Sequence, residues 1–238
     1  MGSGIYVATA GAVAQSTALD VTANNIANAT TTGFQAARVS FSEALAKARS
    51  PDVALVSNST REVVDGQPGD ITQTGNPLDL ALQGDGYLSV NTPNGVRYTR
   101  AGAMRLDANG TLRTLDGLQV RGAGGSAITV PEGTAHVTIA EDGTIFADSE
   151  ELARLELSRF KPGALTREGG ALLAARSAPI DGDKPQVVQG ALEGSNVNVV
   201  RGVVDLVKVS RTYETLLKLI EGYSTIENRA ARDIGGPK

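Results

Sequence analysis

Apolar positions along the chain fall into three regimes, and each predicts a different kind of element. Over residues 4–29, Ile5, Ala12, Leu19 and Ile26 recur every seven residues, with Ala8, Val13 and Ala23 alongside. That is the stripe of a helix, and its many alanines let a neighbouring helix approach closely. Ser3 is placed to cap its start. Asn28 to Thr32 lower helix propensity, because their side chains offer the backbone competing hydrogen bonds. Gly33 then supplies a left-handed residue and Phe34 a hydrophobic lid, so the helix is expected to stop within 29–32.

Residues 34–48 keep apolar side chains at Phe34, Ala37, Phe41, Leu45 and Ala48, a spacing that fits either a second helix or an extended arm. Pro51, Pro68, Pro77 and several glycines mark 49–77 as a linker with one or two strands. From 78 to 190 short alternating runs recur between turn signals. Asn94-Gly95, Asn109-Gly110, Asp116-Gly117 and Asp142-Gly143 are hairpin dipeptides, which predicts an antiparallel β domain of eight or more short strands. Beyond 196 the helical period returns: Val199, Gly202, Leu206, Val209, Tyr213, Leu216, Ile220, Tyr223 and Ala230 follow steps of three and four, interrupted at Glu227. Ser195, Asn196 or Asn198 can cap this helix, and Gly235-Gly236-Pro237 stops it.

The expected fold class is therefore α+β. Long N- and C-terminal helices pair as a coiled-coil-like unit, with an antiparallel all-β domain inserted between them. The expected divisions are 1–33 (helix), 34–77 (arm and linker), 78–190 (β domain) and 191–238 (helix).

Composition narrows the chemistry. A net charge of -4, from 26 acidic and 22 basic side chains without long runs, argues against nucleic acid as a partner. No apolar run approaches the ~20 residues of a spanning helix, so direct membrane insertion is not expected. The N-terminal segment has no charged region ahead of its apolar part and does not fit a Sec signal. The sequence contains no Cys and a single His, His136, which leaves little for zinc or Ser–His–Asp chemistry. Asp107-Ala-Asn109-Gly110 and Asp181-Gly-Asp183 only faintly resemble calcium loops and read as turns. No catalytic residue, metal or cofactor is expected, and the chain does not read as an enzyme.

Three stretches carry a family resemblance. ANNIANATTTGF (23–34) resembles the signature near the N-terminus of bacterial flagellar rod and hook proteins. LEGSNVNVVRGVVDLVKVSRTYE (192–214) resembles their C-terminal signature, in which an L-E-x-S-N-V segment opens the last helix. GNPLDLALQGDGYLSV (75–90) and YTRAGAMRLDANGTL (98–112) resemble the start of their β domain. The short β domain and the ITVPEG stretch (128–133) are most similar to the proximal rod members, with a distal rod or hook-type member as the alternative.

The resemblance implies a structural subunit that polymerises helically into the drive shaft, transmits torque and encloses the export channel. Its partners would be copies of itself, other rod proteins and the flagellar type III export apparatus. Its location would be the periplasm-spanning rod of the basal body, reached without a cleaved Sec signal. Its functional residues would be interface residues. Ile5, Ala12, Leu19 and Ile26 would face Leu206, Val209, Tyr213, Leu216, Ile220 and Tyr223. Asn24, Asn25 and Asn28 would supply hydrogen bonds to neighbouring chains, and Gly33 and Phe34 would turn the chain away. Leu192, Ser195 and Asn196 belong to the C-terminal signature. The competing class is a secreted carbohydrate-binding or hydrolytic β protein, which needs an aromatic platform that four Phe, five Tyr and no Trp barely supply.

Overall fold

The computed structural model describes residues 2–44 and 57–235. Leu45, Ala48, Gly236 and Pro237 lie outside the described residues, as do the side chains of Ser3, Phe41, Glu227 and Ala230. The chain divides into two compact units. A helical unit comprises Met1–Ile26, Ala37–Glu62 and Asn198–Lys238, and a β unit comprises Ala27–Ala36 and Val63–Val197.

In the helical unit, α1 spans Gly2–Ala27 and α2 spans Val199–Gly235. At ~1.5 Å per residue, the 37 residues of α2 reach roughly 55 Å. Its cap is Asn198, whose Oδ1 accepts from Arg201 N at 3.0 Å. Between the helices run β1 (Ala37–Ala44) and β2 (Ser57–Val64), which pair with each other. The segment after Phe34 is thus an extended arm rather than a second helix. Ala37, Val39 and Phe41 alternate with Arg38, Ser40 and Ser42, the period of a strand. α1 itself stops slightly earlier than the sequence suggests, because Asn28 to Gly33 form turns: Thr31 N donates to Asn28 O at 3.1 Å and Phe34 N to Thr31 O at 3.3 Å.

The β unit is built from fifteen strands: β3 (Ile71–Gln73), β4 (Leu80–Gln83), β5 (Tyr87–Thr92), β6 (Gly95–Thr99), β7 (Met104–Leu106), β8 (Leu112–Thr114), β9 (Gln119–Val120), β10 (Val137–Ile139), β11 (Thr144–Ala147), β12 (Glu150–Arg154), β13 (Leu157–Ser158), β14 (Leu165–Gly169), β15 (Leu172–Ala175), β16 (Gln186–Gln189) and β17 (Ala191–Glu193). The main sheet runs β14-β15-β6-β5-β9-β8-β7, and β13 shares the outer edge of β5 with β9. β10-β11-β12 form a second sheet, and β16-β4 and β17-β3 are separate pairs. All strand pairs whose register is described are antiparallel.

The four Asn-Gly and Asp-Gly dipeptides sit in the β5–β6, β7–β8, β8–β9 and β10–β11 connections. A further turn, Asp148-Ser149 between β11 and β12, takes positive φ without glycine (49° and 80°). Asp148 holds that turn by accepting from Ala135 N and His136 N at 3.0 and 2.8 Å.

Leu80, Leu82, Leu88, Val90, Leu112, Val120, Ile145 and Val187 of the strands, with Ile128 and Leu155 from between them, are buried in one core. A smaller cluster holds Tyr87, Tyr98, Leu165 and Leu173. Phe160 meets Tyr98 edge-on there at 4.5 Å between ring centroids.

Candidate assembly interface

α1 and α2 approach each other where α1 carries its smallest residues. A Cβ placed on Gly4 would lie 3.1 Å from the Tyr223 ring, and one on Gly11 would lie 3.5 Å from Leu216 Cδ1. At the other end a Cβ on Gly202 would lie 3.0 Å from Ile26 Cγ1. These three meetings fix an antiparallel register in which residue numbers rise on one helix as they fall on the other. Ala8, Ala12 and Ala14 are buried along α1, and Ile5, Leu19 and Ile26 are half-buried. Val13 and Ala23 are exposed, contrary to the sequence expectation, because the small residues centre the contact on the Gly4–Gly11 side of the helix.

On α2 the half-buried positions are Gly202, Leu206, Val209, Ser210, Tyr213, Leu216 and Ile220, and every other described side chain of the helix is exposed. Tyr223 is 40% exposed even though its ring reaches Gly4, and Val199 lies off the stripe.

The asparagines of the first signature divide their roles. Asn25 treats Ala37 as a strand would: its Nδ2 donates to Ala37 O at 2.8 Å, and its Oδ1 accepts from Ala37 N at 2.9 Å. Its amide therefore ties β1 to α1 within one chain, where the sequence reading assigned it to a neighbour. Asn28 Oδ1 accepts from Thr31 Oγ1 at 3.2 Å and stiffens the turn. Asn24 is exposed.

In the β unit, the chain enters and leaves at one laced junction. Gly33 N donates to Glu193 O at 2.8 Å, and Asn196 N to Phe34 O at 3.3 Å. Asn196 Oδ1 accepts from Ala36 N at 2.6 Å while its Nδ2 donates to Gln67 O at 2.8 Å and Asp65 O at 3.3 Å. Ala36 O in turn accepts from Asp65 N at 2.7 Å. Three strands of chain are thereby held by one amide.

Gly33 is required on two counts. Its φ is +66°, and a Cβ there would lie 2.1 Å from Ala101 N. Phe34 is buried beneath Arg167, whose guanidinium lies 4.1 Å from its ring centroid and whose Nη2 also donates to Gln35 O. Leu192 is half-buried in β17 opposite Thr72 rather than at the opening of the last helix. Ser195 Oγ accepts from Val197 N at 3.3 Å and leaves the cap to Asn198.

Beneath the junction is an ion pair that sequence reasoning did not single out. Arg100 and Glu193 are 2% and 1% exposed. Arg100 Nε donates to both Glu193 oxygens at 2.9 and 2.7 Å, Nη1 to Gly84 O and Gly86 O, and Nη2 to Leu82 O. Glu193 Oε1 also accepts from Gly69 N at 3.0 Å. Two charges taken out of water are tolerable only with this degree of hydrogen bonding. The available signal was one cation inside YTRAGAM and one anion inside ALEGSN, each alone in a run of small and uncharged residues.

Nearby, burial pushes the Tyr87 phenol above its ordinary range, partly opposed by the positive charge of Arg100. Its hydroxyl donates to Gln35 Oε1 at 3.0 Å.

Of the residues with faint catalytic or metal signals, Asp107 is absorbed by the β7–β8 turn. Asp107 Oδ2 accepts from Arg113 Nε at 2.6 Å and Oδ1 from Asn109 N and Thr111 N. The Arg113 bond first, then the backbone bonds, hold its carboxyl below the usual range. His136 is exposed. Among the described residues no group of three His, Asp or Glu side chains is arranged to hold a metal ion, and no helix is long and apolar enough to cross a membrane.

Three family models match the chain in order: the flagella basal body rod protein model at 5–35, the flagellar hook protein FlgE/F/G D1 domain at 81–147, and the flagellar basal body rod FlgEFG protein C-terminal model at 188–232. The chain is 31% identical to the flagellar basal-body rod protein FlgF of Rhizobium meliloti over 100% of both chains. It is 36% identical to FlgF of Escherichia coli over 89% of each. Similarity extends to the rod protein FlgG of Agrobacterium fabrum, at 33% identity over 91% of this chain and 93% of that one.

Proposed function

Because the chain belongs to the flagellar basal-body rod protein family, and is thus a structural rod subunit of the basal body, we propose that its terminal helices pair in a coiled-coil-like manner to form the axial core of the proximal rod. In this reading subunits polymerise helically around the export channel, transmit torque, and contact copies of themselves and other rod proteins. The chain reaches the periplasm-spanning rod through the flagellar type III apparatus, for which a sequence without cysteine is well suited. Its role is mechanical rather than catalytic.

The observation that carries this reading is the α2 stripe. Leu206, Val209, Tyr213, Leu216 and Ile220 lie on one half-buried face with heptad spacing, and Leu216 and Tyr223 meet Gly11 and Gly4 of α1. Each helix also keeps apolar side chains exposed on its other faces, as a subunit awaiting neighbours does. Gly33, Phe34, Asn25 and Asn196 act on assembly indirectly, by fixing where the arm and the β unit begin.

Deleting 200–232 tests the proposal. Loss of the chain from purified basal bodies with a folded β unit is expected, and normal incorporation of the truncated chain would sink it. A distal rod or hook-type role is the second reading, favoured by the similarity to FlgG. Imaging the level of the tagged subunit along the shaft separates the two. A carbohydrate-binding role is disfavoured by the packing of Tyr87, Tyr98 and Phe160 against one another.

A further inference from the structure

The last stretch of the β unit, residues 186–196, is bonded to segments spread over most of the chain before it. β16 is the only strand that β4 pairs with among the described residues, and it sets Val187 opposite Leu82. Leu80, Ala81 and Leu82 of β4 are buried, so without β16 a buried strand lacks its ladder. Gln189 reaches the second sheet: its Oε1 accepts from Ile139 N at 3.2 Å and its Nε2 donates to Val137 O at 2.9 Å. Val187 N donates to Glu141 O at 2.8 Å. β17 pairs with β3, and Gly194 N donates to Asp70 O at 2.8 Å. Glu193 is the counter-charge of Arg100, and Asn196 laces Ala36, Asp65 and Gln67. All of these partners lie before residue 142.

The main sheet is built differently. β5–β6, β7–β8 and β14–β15 are hairpins of consecutive strands. Local contacts of this kind form early, whereas long-range ones have loop-closure entropy to overcome first. A chain that has reached Ala175 already carries every strand of that sheet. It lacks the partner of β4 and the anion for Arg100, whose guanidinium is buried among the carbonyls of Leu82, Gly84 and Gly86. A buried cation without its anion, beside a buried strand without its ladder, opposes closure of the core.

We infer that residues 186–196 are the keystone of the β unit: the strands before them stay non-native until this segment joins, so folding waits for nearly the whole chain. Synthesis starts at the N-terminus and delivers the keystone late, with α2 still to follow. For a subunit that passes through an export channel, as proposed above, a late-closing fold keeps the chain extended longest. That advantage rests on the rod reading, whereas the folding order does not.

The test splits the full chain at an exposed turn. A protease recognition sequence is inserted between Asp181 and Gly182, both exposed, and cut in the folded protein. The pieces are separated in denaturant and the N-terminal piece is returned to buffer. Alone, it should lack the cooperative thermal transition and the hydrogen-exchange protection of β5 and β6. A synthetic peptide of residues 182–198, which lacks α2, should restore both. Protection of β5 and β6 without the peptide, or no recovery with it, would overturn the inference. Insertion between Asp183 and Lys184 serves should the first site disturb the uncut chain. The same peptide with Glu193→Gln keeps the shape without the charge, and should bind about tenfold more weakly or worse. Equal binding would overturn the part given to the ion pair.

Discussion

The two units of this chain solve the problem of burial in opposite ways. The β unit has an apolar core, and its Arg100–Glu193 ion pair is buried and hydrogen-bonded within the unit. The helical unit relies on glycine and alanine contacts along α1 and leaves Val200, Val204, Tyr6 and Val13 more than half exposed. The first buries most of its large apolar side chains and the second leaves many of its own exposed. Stability should therefore be governed by one unit and assembly by the other, and substitutions can set the two apart.

The largest effect is expected from Arg100→Met. It strands a buried Glu193 carboxylate and the carbonyls of Leu82, Gly84 and Gly86, at a cost of about 3–5 kcal/mol. Hydrogen exchange should show lost protection throughout the β unit while α2 changes little. Gly33→Ala follows, at about 2–3 kcal/mol, because positive φ and the approach of Ala101 both oppose a side chain; chemical denaturation measures it. Asn25→Ala removes both bonds to Ala37 and should cost about 1–2 kcal/mol. That loss belongs to the helical unit, and faster exchange of the Ala37 amide would report it.

Acid should act on the β unit. Hydrogen bonds from Arg97 to Glu168, from Arg113 to Asp107, and from backbone amides to Asp142 and Asp148 lower these carboxyl pKa values. A group whose pKa is depressed by folding contributes stability above its unfolded pKa, near 4, and loses it as pH falls through the folded value. Thermal scans should therefore show a β transition that is flat above pH 5 and falls below pH 4. The smallest change in stability, within about 0.5 kcal/mol, is expected from Val204→Ser, since this side chain is 62% exposed. Incorporation into basal bodies should nevertheless fall. An unchanged level would remove the contrast between the units.

Much of this contrast was legible in the order of residues. The heptad steps from Leu206 to Ile220 coincide with the half-buried face of α2, and the Asn-Gly and Asp-Gly dipeptides coincide with turns, because both signals are local. Residues whose meaning depends on distant partners were not legible. Asn25 and Asn196 look like caps or interface donors until the backbone of Ala37 and of Ala36, Asp65 and Gln67 is brought to them. Arg100 and Glu193 are 93 positions apart, and no periodicity links them. The choice between helix and arm after Phe34 was open for the same reason, since Asn25 fixes it from outside the segment. Val13 was misplaced because apolar character alone does not reveal that a helix contact is centred on glycines.

The hydrogen bond from Gly194 N to Asp70 O, at 2.8 Å, closes residues 70–194 of the β unit into a loop whose entry and exit touch. Whatever lies between them enters and leaves by the same doorway, so its length is free to change without moving the door frame. The unit thus behaves as an exchangeable cassette. A fluorescent protein or affinity tag set into an outer turn, such as Asn94-Gly95, should leave the doorway undisturbed, and the family's cassettes should be interchangeable between chains that share its frame.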